Sequence, residues 1–269
     1  MNYKSLRIEE ADDVLTVTLH RPERRNALNP ELMEELLHVF EIAGKRPSGV
    51  LVLTGSGDAF CAGLDLDRLS ATRDHSPAQH QEEAERTAQM FRTLYELPIP
   101  TIAAVNGAAI AGGTGLATLC DFTLAVPQAK FGYTEVRIGF IPAVVSSFLI
   151  LQLGVKQARD LLLSGRTFSA EEAKQMSLVN EIVDPIALLP RAQQLAQSLL
   201  QNSPEAVRAT KRLLADLQRA RLDHELQLSM AASIAARSTD DFREGVAAFL
   251  EKRKPDWPSR KKMYLLKNN

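Results

Sequence analysis

The first half of the chain alternates short apolar runs with amphipathic or small-residue stretches. The apolar runs are five or six residues long and rich in Val, Leu, Ile and Thr, which is typical of buried strands. They predict strands at Val14–Leu19, 49–54, Thr101–Val105 and 122–126. Helical patterns lie between them, at 30–43 behind the capping pair Asn29-Pro30 and at 112–120. This order favours an α/β domain.

Beyond Pro142 the pattern becomes helical. A helix is predicted at 155–163, and Ser169 with Glu172 has the form of a capping box. Ser203-Pro204 places a cap before a proline, so a long helix is expected from there to about residue 236, followed by another at 240–252.

The segment 67–88 is the most polar part of the first half and is rich in His, Gln and Glu. It predicts a mobile surface loop that leads into a helix ending before Pro98.

The composition is that of a globular protein. Of 269 residues, 45% are hydrophobic and 24% are charged, and the formal net charge is −1. These values exclude a disordered, collagen-like or coiled-coil chain for most of its length. They also provide no general attraction to nucleic acid or to an anionic membrane, so neither is expected as a partner. A domain boundary is expected between 190 and 203, but the helices beyond it are too few for a core of their own.

The cysteines and the first residues favour a cytoplasmic protein. The N-terminal segment carries no apolar stretch of the kind that signal peptides have, and no run of about 18 apolar residues is present. Without an export signal, Cys61 and Cys120 are expected to be reduced thiols. Neither these cysteines nor any two of the five histidines have a metal-ligand spacing, so no metal site is predicted.

Two glycine-rich stretches approach phosphate-binding patterns without completing them. In the run 55–60, Phe60 stands where a dinucleotide fingerprint needs its third glycine. In the run 107–114, Gly113 stands where a P-loop needs its lysine. The glycines therefore either serve tight turns or point free backbone N–H groups at a ligand. Two such turns together could hold a developing oxyanion if they converge.

Seven short segments occur in an order and spacing that resemble one known family. They are HRPERRNAL (20–28), FCAGLDL (60–66), PTIAAVNG (100–107), AGGTGL (111–116) with Cys120-Asp121 after it, KFGYTEV (130–136), IGFIP (138–142) and EGVAAFLEKR (244–253). Together they cover nearly the whole chain. They are similar to the crotonase superfamily, the enoyl-CoA hydratase/isomerase proteins.

The resemblance implies an α/β, crotonase-like (ClpP/crotonase) fold. A spiral of ββα units with the active site would occupy residues 1–195, and a helical oligomerisation region would occupy 196–269. Such proteins assemble as a homotrimer or as a homohexamer made of two trimers. The substrate would be an acyl-CoA thioester, with coenzyme A as part of the substrate and no tightly bound cofactor.

In this family two backbone amides bind the thioester oxygen, and by motif position they belong to Leu64 and Gly112. Enolising a thioester places negative charge on that oxygen, which preorganised donors stabilise. Losing one such donor costs about 3–4 kcal/mol in other enzymes. Because main-chain groups donate, the side chain of Leu64 is free to vary.

The resemblance also implies contacts with coenzyme A. The backbone of Ala62 would lie near the adenine, and Leu64, Asp65 and Leu66 would lie along the coenzyme A portion of the substrate. Three basic residues have two interpretations each. Arg24 and Arg25 either contact phosphates or are solvated loop arginines, and Lys252 either approaches a CoA phosphate or caps a solvated helix end.

Glu135, in KFGYTEV, is the predicted acid/base. Hydratases of this family typically carry two glutamates, but the position of the first is Gly115 in this chain. An apolar pocket around Glu135 would raise its pKa toward neutrality. Tyr133 is a candidate for a further polar group near the acyl end. If the missing carboxylate limits hydration, Gly115→Glu should increase it.

These features predict an enzyme that hydrates a 2-enoyl-CoA, or dehydrates the 3-hydroxyacyl-CoA, through an enolate. A single glutamate can also move a proton between two carbons, so an enoyl-CoA isomerase is the first alternative. A nearly inactive acyl-CoA-binding homologue is the second. The acyl pocket is expected to be lined partly by 67–90 and by 143–148.

Overall fold

Two sheets organise the strands. The computed structural model describes residues 3–71 and 75–261, and ten strands within these ranges form a six-stranded and a four-stranded sheet. The strands are β1 (Leu6–Ala11), β2 (Val14–Leu19), β3 (Val50–Gly55), β4 (Ala59–Cys61), β5 (Thr101–Val105), β6 (Ala108–Ile110), β7 (Phe122–Ala125), β8 (Lys130–Gly132), β9 (Thr167–Ser169) and β10 (Glu181–Ile182).

The six-stranded sheet has the order β1-β2-β3-β5-β7-β10. Strand β1 pairs antiparallel with β2, and the remaining neighbours are parallel. All five residues of β5 are buried, as are the first five of β3. This explains why these strands appear in the sequence as continuous apolar runs rather than as alternating ones.

In the four-stranded sheet, of order β4-β6-β8-β9, each of the first three strands follows a strand of the large sheet along the chain, whereas β9 follows α5. Strand β3 leads after a short turn into β4, β5 leads into β6, and β7 leads into β8. A helix follows each of these pairs. The chain thus repeats a ββα unit three times along the two sheets, which confirms the expected spiral.

Nine α-helices lie in the described part of the chain. They are α1 (Pro30–Gly44), α2 (Leu66–Ala71), α3 (Pro77–Tyr95), α4 (Gly112–Leu119), α5 (Ala143–Ser164), α6 (Ala170–Gln175), α7 (Leu188–Leu200), α8 (Pro204–Arg237) and α9 (Asp240–Leu250). No helix in the described ranges is both long and apolar enough to span a membrane.

Helix α1 forms as its sequence predicts. The Asn29 side chain accepts a hydrogen bond from Leu32 N at 2.8 Å and so satisfies one of the free amides at the helix start. Leu32, Leu36 and Phe40 are fully buried on one face, against the large sheet. The predicted cap and apolar face are both confirmed.

The prediction of a mobile loop at 67–88 is wrong for most of that segment. Residues 66–71 form α2, and α3 begins at Pro77; positions 72–74 lie outside the described residues. A capping box starts α3: Gln79 N donates to Ser76 Oγ at 3.3 Å, and Ser76 N donates to Gln79 Oε1 at 2.8 Å. Its buried stripe is narrow and begins with Ala84 and Ala88, which hides the helical period among polar residues.

The helix predicted at 155–163 is the second half of α5. This helix begins at Ala143 and is interrupted at Gly154, whose backbone has φ 71° and ψ 168°. The capping box predicted at Ser169 forms only on one side. Glu172 N donates a hydrogen bond to Ser169 Oγ at 3.2 Å. The Glu172 carboxylate pairs with Arg166 instead, at 2.7 Å.

The C-terminal helices share the core of the first half. Helix α7, in which the suggested boundary at 195/196 falls, packs on the large sheet through the buried Ala192 and Ala196. Leu222 and Leu226 of α8 belong to the same apolar cluster as the strands. The long helix predicted after Ser203 and the one after Thr239 are both confirmed.

Candidate active site

The turn after β4 leaves one backbone amide free. Leu28 N donates to Gly63 O at 2.7 Å, and Asp65 N donates to Leu28 O at 2.9 Å. In this parallel bridge the N–H of Leu64 faces away from Leu28. Among the described residues it has no hydrogen-bond partner.

The N-terminus of α4 presents the second free amide. Ala111 occupies the N-cap with φ 53° and ψ −123°, a conformation that is uncommon for alanine, and its N–H donates to Gly132 O at 2.6 Å. No side chain caps this end. The N–H of Gly112, the first helical residue, is without an acceptor in the ranges that the structure covers, and it lies at the positive end of the helix dipole.

These two backbone segments are in direct contact. Gly63 has φ +83°, and a Cβ added to it would lie 2.8 Å from Ile110 O and 3.4 Å from Gly112 N. Only glycine therefore fits this turn against α4. The predicted pair, Leu64 and Gly112, is brought together at the wall of one cavity.

The cavity is a largely apolar cleft with an empty volume of about 970 Å³, its open mouth included. Pockets for small-molecule ligands have volumes of about 300–1,000 Å³. Leu69, Ala84 and Thr87 line it from the segment 67–90, and Ala143, Val144 and Val145 line it from α5. Both segments that were expected to line the acyl pocket thus line this cavity.

Glu135 lies on this cavity, at the start of a 3-10 helix formed by Glu135–Ile138. The residue as a whole is half-buried, but its Oε2 is inaccessible and has no hydrogen-bond partner in the described structure. Burial raises the pKa of this carboxyl to about 7, and a hydrogen bond with its own backbone opposes the shift. Near neutral pH it can both accept and return a proton.

Apolar side chains occupy the space beside Gly115, where the family's hydratases typically carry their first glutamate. A Cβ at this position would meet Val145 Cγ1 at 2.6 Å and Phe91 Cε1 at 3.0 Å. No side chain fits without movement of these two. The structure therefore opposes the expectation that Gly115→Glu increases hydration.

The structure places some of the candidate CoA-binding residues on the cavity wall and others away from it. Ala62 and Leu66 line the cavity, whereas Asp65 does not. The Asp65 carboxylate instead pairs with Arg21 at 3.0 Å, and the two side chains are only 7% and 15% exposed. This buried pair joins the loop 20–28 to the turn that carries Leu64.

The three basic candidates lie outside the cavity lining. Arg24 pairs with Asp67 on the surface, and the carbonyl of Arg25 accepts a hydrogen bond from Ala62 N at 3.0 Å. Both arginines therefore sit beside the segment 62–67. Lys252 is exposed in the turn after α9, three residues beyond Phe249, which does line the cavity.

Tyr133 lies in the core instead of on the cavity. It is 1% exposed, and its hydroxyl is 3.4 Å from Thr118 Oγ1. Burial raises the pKa of its phenol.

The sequence interpretation missed the contribution of α8 and α9. Ser233, Arg237 and Phe249 line the cavity about 100 residues after Glu135 in the chain. It also missed a cluster of His75, His80 and Glu83, whose candidate ligand atoms lie within 4.8 Å of one another. Ser233 and Arg237 did have a signal in the sequence, because positions 233 and 237 are one helical turn apart and therefore lie on the same face of the helix.

Comparison with known proteins agrees with this geometry. The family profile described as Enoyl-CoA hydratase/isomerase matches residues 9–260. The chain belongs to the enoyl-CoA hydratase/isomerase family. It is 42% identical over 247 residues to a putative enoyl-CoA hydratase of Thermus thermophilus, covering 91% of this chain and 98% of that one. It is also 36% identical over 249 residues to the 2,3-dehydroadipyl-CoA hydratase of Escherichia coli, covering 92% and 96%.

The fold agrees as well. The crystal structure of an enoyl-CoA hydratase/isomerase from Pseudoalteromonas atlantica superposes with a TM-score of 0.84 at 30% identity, over 94% of this chain and all of that one. The ββα spiral is thus the crotonase fold. Family membership makes this chain an acyl-CoA enzyme of the enoyl-CoA hydratase/isomerase type.

The buried pair of Asp65 and Arg21 should contribute much more to stability than the exposed pair of Asp67 and Arg24. Asp65→Asn leaves a buried guanidinium without its partner, so we expect a loss of about 3–5 kcal/mol in the free energy of unfolding. Asp67→Asn is the matched control, and its effect should stay below about 1 kcal/mol. Urea unfolding at one protein concentration measures both, and equal losses would contradict this assignment.

Val145 should determine how well position 115 tolerates a side chain. Gly115→Ala alone is expected to cost about 1–3 kcal/mol in unfolding free energy, because its methyl group overlaps Val145 Cγ1. In a Val145→Ala background the same change should cost at least about 0.5 kcal/mol less. A double-mutant cycle by urea unfolding tests this, and strictly additive effects would contradict it.

Proposed function

We propose that the enzyme hydrates a 2-enoyl-CoA, with Glu135 as its only proton carrier at the reacting carbons. One observation carries the proposal: a single, largely apolar cavity is lined by Leu64 and Gly112, whose amides are free, and by Glu135, a buried carboxyl whose pKa is about 7. The thioester oxygen would accept both N–H groups. Negative charge that develops on this oxygen would then be stabilised by donors that need no reorganisation.

The proton balance needs only one carboxylate. Glu135 takes a proton from water, whose oxygen bonds to C3 of the enoyl group while the double bond electrons move toward the thioester. The enolate then takes the same proton from Glu135 at C2, and the glutamate returns to its starting state. A pKa near the working pH suits a group that must first accept and then donate.

Double-bond isomerisation is the second candidate, and the surroundings of Gly115 favour it. Val145 and Phe91 fill the place of a second carboxylate, so no acid on that side can hold a water molecule. Glu135 could instead remove a proton from C2 of a 3-enoyl-CoA and return it to C4. The same amides would stabilise the intermediate dienolate.

The CoA portion is proposed to follow the segment 62–66. The cavity lining includes Ala62, Leu64 and Leu66, and Arg24 and Arg25 flank the same segment, which suits contacts with phosphates. Asp65 would contribute through its backbone, because its side chain is engaged with Arg21. Lys252, exposed beyond α9, is proposed to reach a CoA phosphate from its own or a neighbouring subunit.

We also propose that residues 196–269 mediate assembly into a homotrimer or a dimer of trimers. Leu213, Leu214 and Leu217 of α8 are 58%, 57% and 68% exposed and lie within about 100° of one another around the helix. Such a cluster of large apolar side chains is typical of an interface.

A cytoplasmic location is proposed because Cys61 and Cys120 are free and buried, and burial raises the pKa of both thiols to about 12.

Replacing Glu135 should abolish most turnover without affecting binding. Glu135→Gln is expected to lower kcat by about 100-fold or more, with acyl-CoA affinity nearly unchanged. The amide fills the same space but can neither accept nor return a proton near neutral pH. In the wild type, kcat/KM should rise with pH up to about 7 and then level off, since the carboxylate form is the base. This limb should disappear in the variant.

Parallel assays of crotonyl-CoA hydration and 3-enoyl-CoA isomerisation decide between the two reactions. Turnover of crotonyl-CoA supports the first proposal, and turnover of the 3-enoyl substrate alone supports the second. Binding of acyl-CoA with neither activity would indicate a nearly inactive homologue. An unimpaired Glu135→Gln enzyme would remove the assignment of the base.

The apolar cluster on α8 should hold the oligomer together. Leu217→Glu places a charge in the proposed interface and is expected to reduce the molar mass, measured by light scattering after gel filtration, toward that of one chain. Arg212→Glu changes the charge of an exposed residue on the other side of the helix and should leave the mass unchanged. A wild-type monomer would refute the proposal.

A further inference from the structure

The last turn of α8 places a guanidinium on the wall of the apolar cavity. The Arg237 side chain is only 5% exposed, and its Nη1 donates to Glu83 Oε2 at 2.6 Å. Its Nε is buried and has no hydrogen-bond partner in the part of the chain that the structure covers. Arginine always carries its proton, so this N–H is a permanent donor without an acceptor. Most buried donors in native structures have a partner, so this N–H calls for an explanation.

The charge of Arg237 is already compensated. Glu83 Oε1 lies 2.9 Å from Nδ1 of His75, and its other oxygen bonds Arg237, so both carboxylate oxygens are engaged. The guanidinium and the carboxylate together are neutral. Nearby His80 has its pKa lowered by burial and by the charge of Arg237. A second anion in this region would leave a buried negative charge, which is costly.

A second polar group lies on the same face of α8. Ser233 precedes Arg237 by one helical turn, is 7% exposed and lines the cavity too. Its hydroxyl has no hydrogen-bond partner in the described ranges. Thr87, across the cavity wall, is engaged with Glu83 O at 2.8 Å. Arg237 and Ser233 therefore add hydrogen-bonding side chains to a cavity lining that is mostly apolar.

We propose that the natural substrate carries an uncharged oxygen, such as a hydroxyl, carbonyl or ether group, on its acyl portion beyond the reacting carbons. This oxygen accepts a hydrogen bond from the guanidinium of Arg237 and forms a second hydrogen bond with the hydroxyl of Ser233. The inference rests on the proposed acyl-CoA function and narrows its substrate class. A plain hydrocarbon chain would leave both polar groups buried and unpaired, which sites of this kind discriminate against.

Binding of unreactive thioesters tests the inference separately from catalysis. Dissociation constants are measured by titration calorimetry for three saturated six-carbon ligands: hexanoyl-CoA, 6-hydroxyhexanoyl-CoA and adipoyl-CoA, in which C6 is a carboxylate. The wild type should bind the hydroxy ligand roughly tenfold more tightly than hexanoyl-CoA. Equal affinities would overturn the proposal, and tightest binding of adipoyl-CoA would overturn the preference for an uncharged oxygen.

Variants locate the effect. Arg237→Met should reduce the hydroxy-to-methyl ratio to near one, and Ser233→Ala should reduce it in part. Arg221→Met, at a half-exposed arginine of the same helix, should keep the wild-type ratio. A preference that persists in Arg237→Met would overturn the assignment. If Arg237→Met does not fold, the Ser233→Ala ratio and the wild-type comparison still decide.

Failure of the proposed function would look different. Because the ligands are saturated, the ratio of affinities does not depend on Glu135 or on any turnover. An enzyme that shows the ratio but hydrates no enoyl-CoA would retain this inference and lose the proposed reaction. An enzyme that hydrates crotonyl-CoA but shows no ratio would do the reverse.

Discussion

The contact between the Gly63 turn and the first residue of α4 is the constraint on which the site depends. An oxyanion site made of main-chain amides needs two segments at hydrogen-bonding distance from one atom, and any Cβ between them would force them apart. Gly63 permits the approach, and the strained Ala111 begins the helix at that point. On one side the Leu28 bridge and the buried Arg21–Asp65 pair hold the turn.

The surroundings of this contact then determine the chemistry. A carboxyl alone in an apolar wall acquires a pKa near neutrality because its charged form is poorly solvated. The space beside Gly115 is filled by Val145 and Phe91. In the proposed mechanism, one proton carrier and two fixed donors are sufficient for adding water or for moving a double bond, and the choice depends on what the cavity admits next to the thioester.

Much of the fold could be predicted from the sequence, and so could three of the residues that line the cavity. Long buried strands, the Asn29 cap and the motif positions of Leu64, Gly112 and Glu135 all have local signatures. The first part of α3 was assigned to a loop because its buried residues begin only at Ala84, and the strands of the small sheet, at three residues each, are too short to show a period. The engagement of Asp65 with Arg21, the packing at Gly115 and the position of Arg237 depend on contacts between distant segments, which no local pattern records.

The distal wall of the cavity is supplied by α8 and α9, whereas the amides and the carboxyl come from the ββα units. If the two proposals hold, reactivity and selectivity are encoded in separate stretches of the gene. Drift in the last 40 residues could retune which thioester is accepted while leaving the chemical step intact. Homologues that agree closely up to α5 can thus differ in metabolic role, and a shared reaction is poor evidence for a shared substrate.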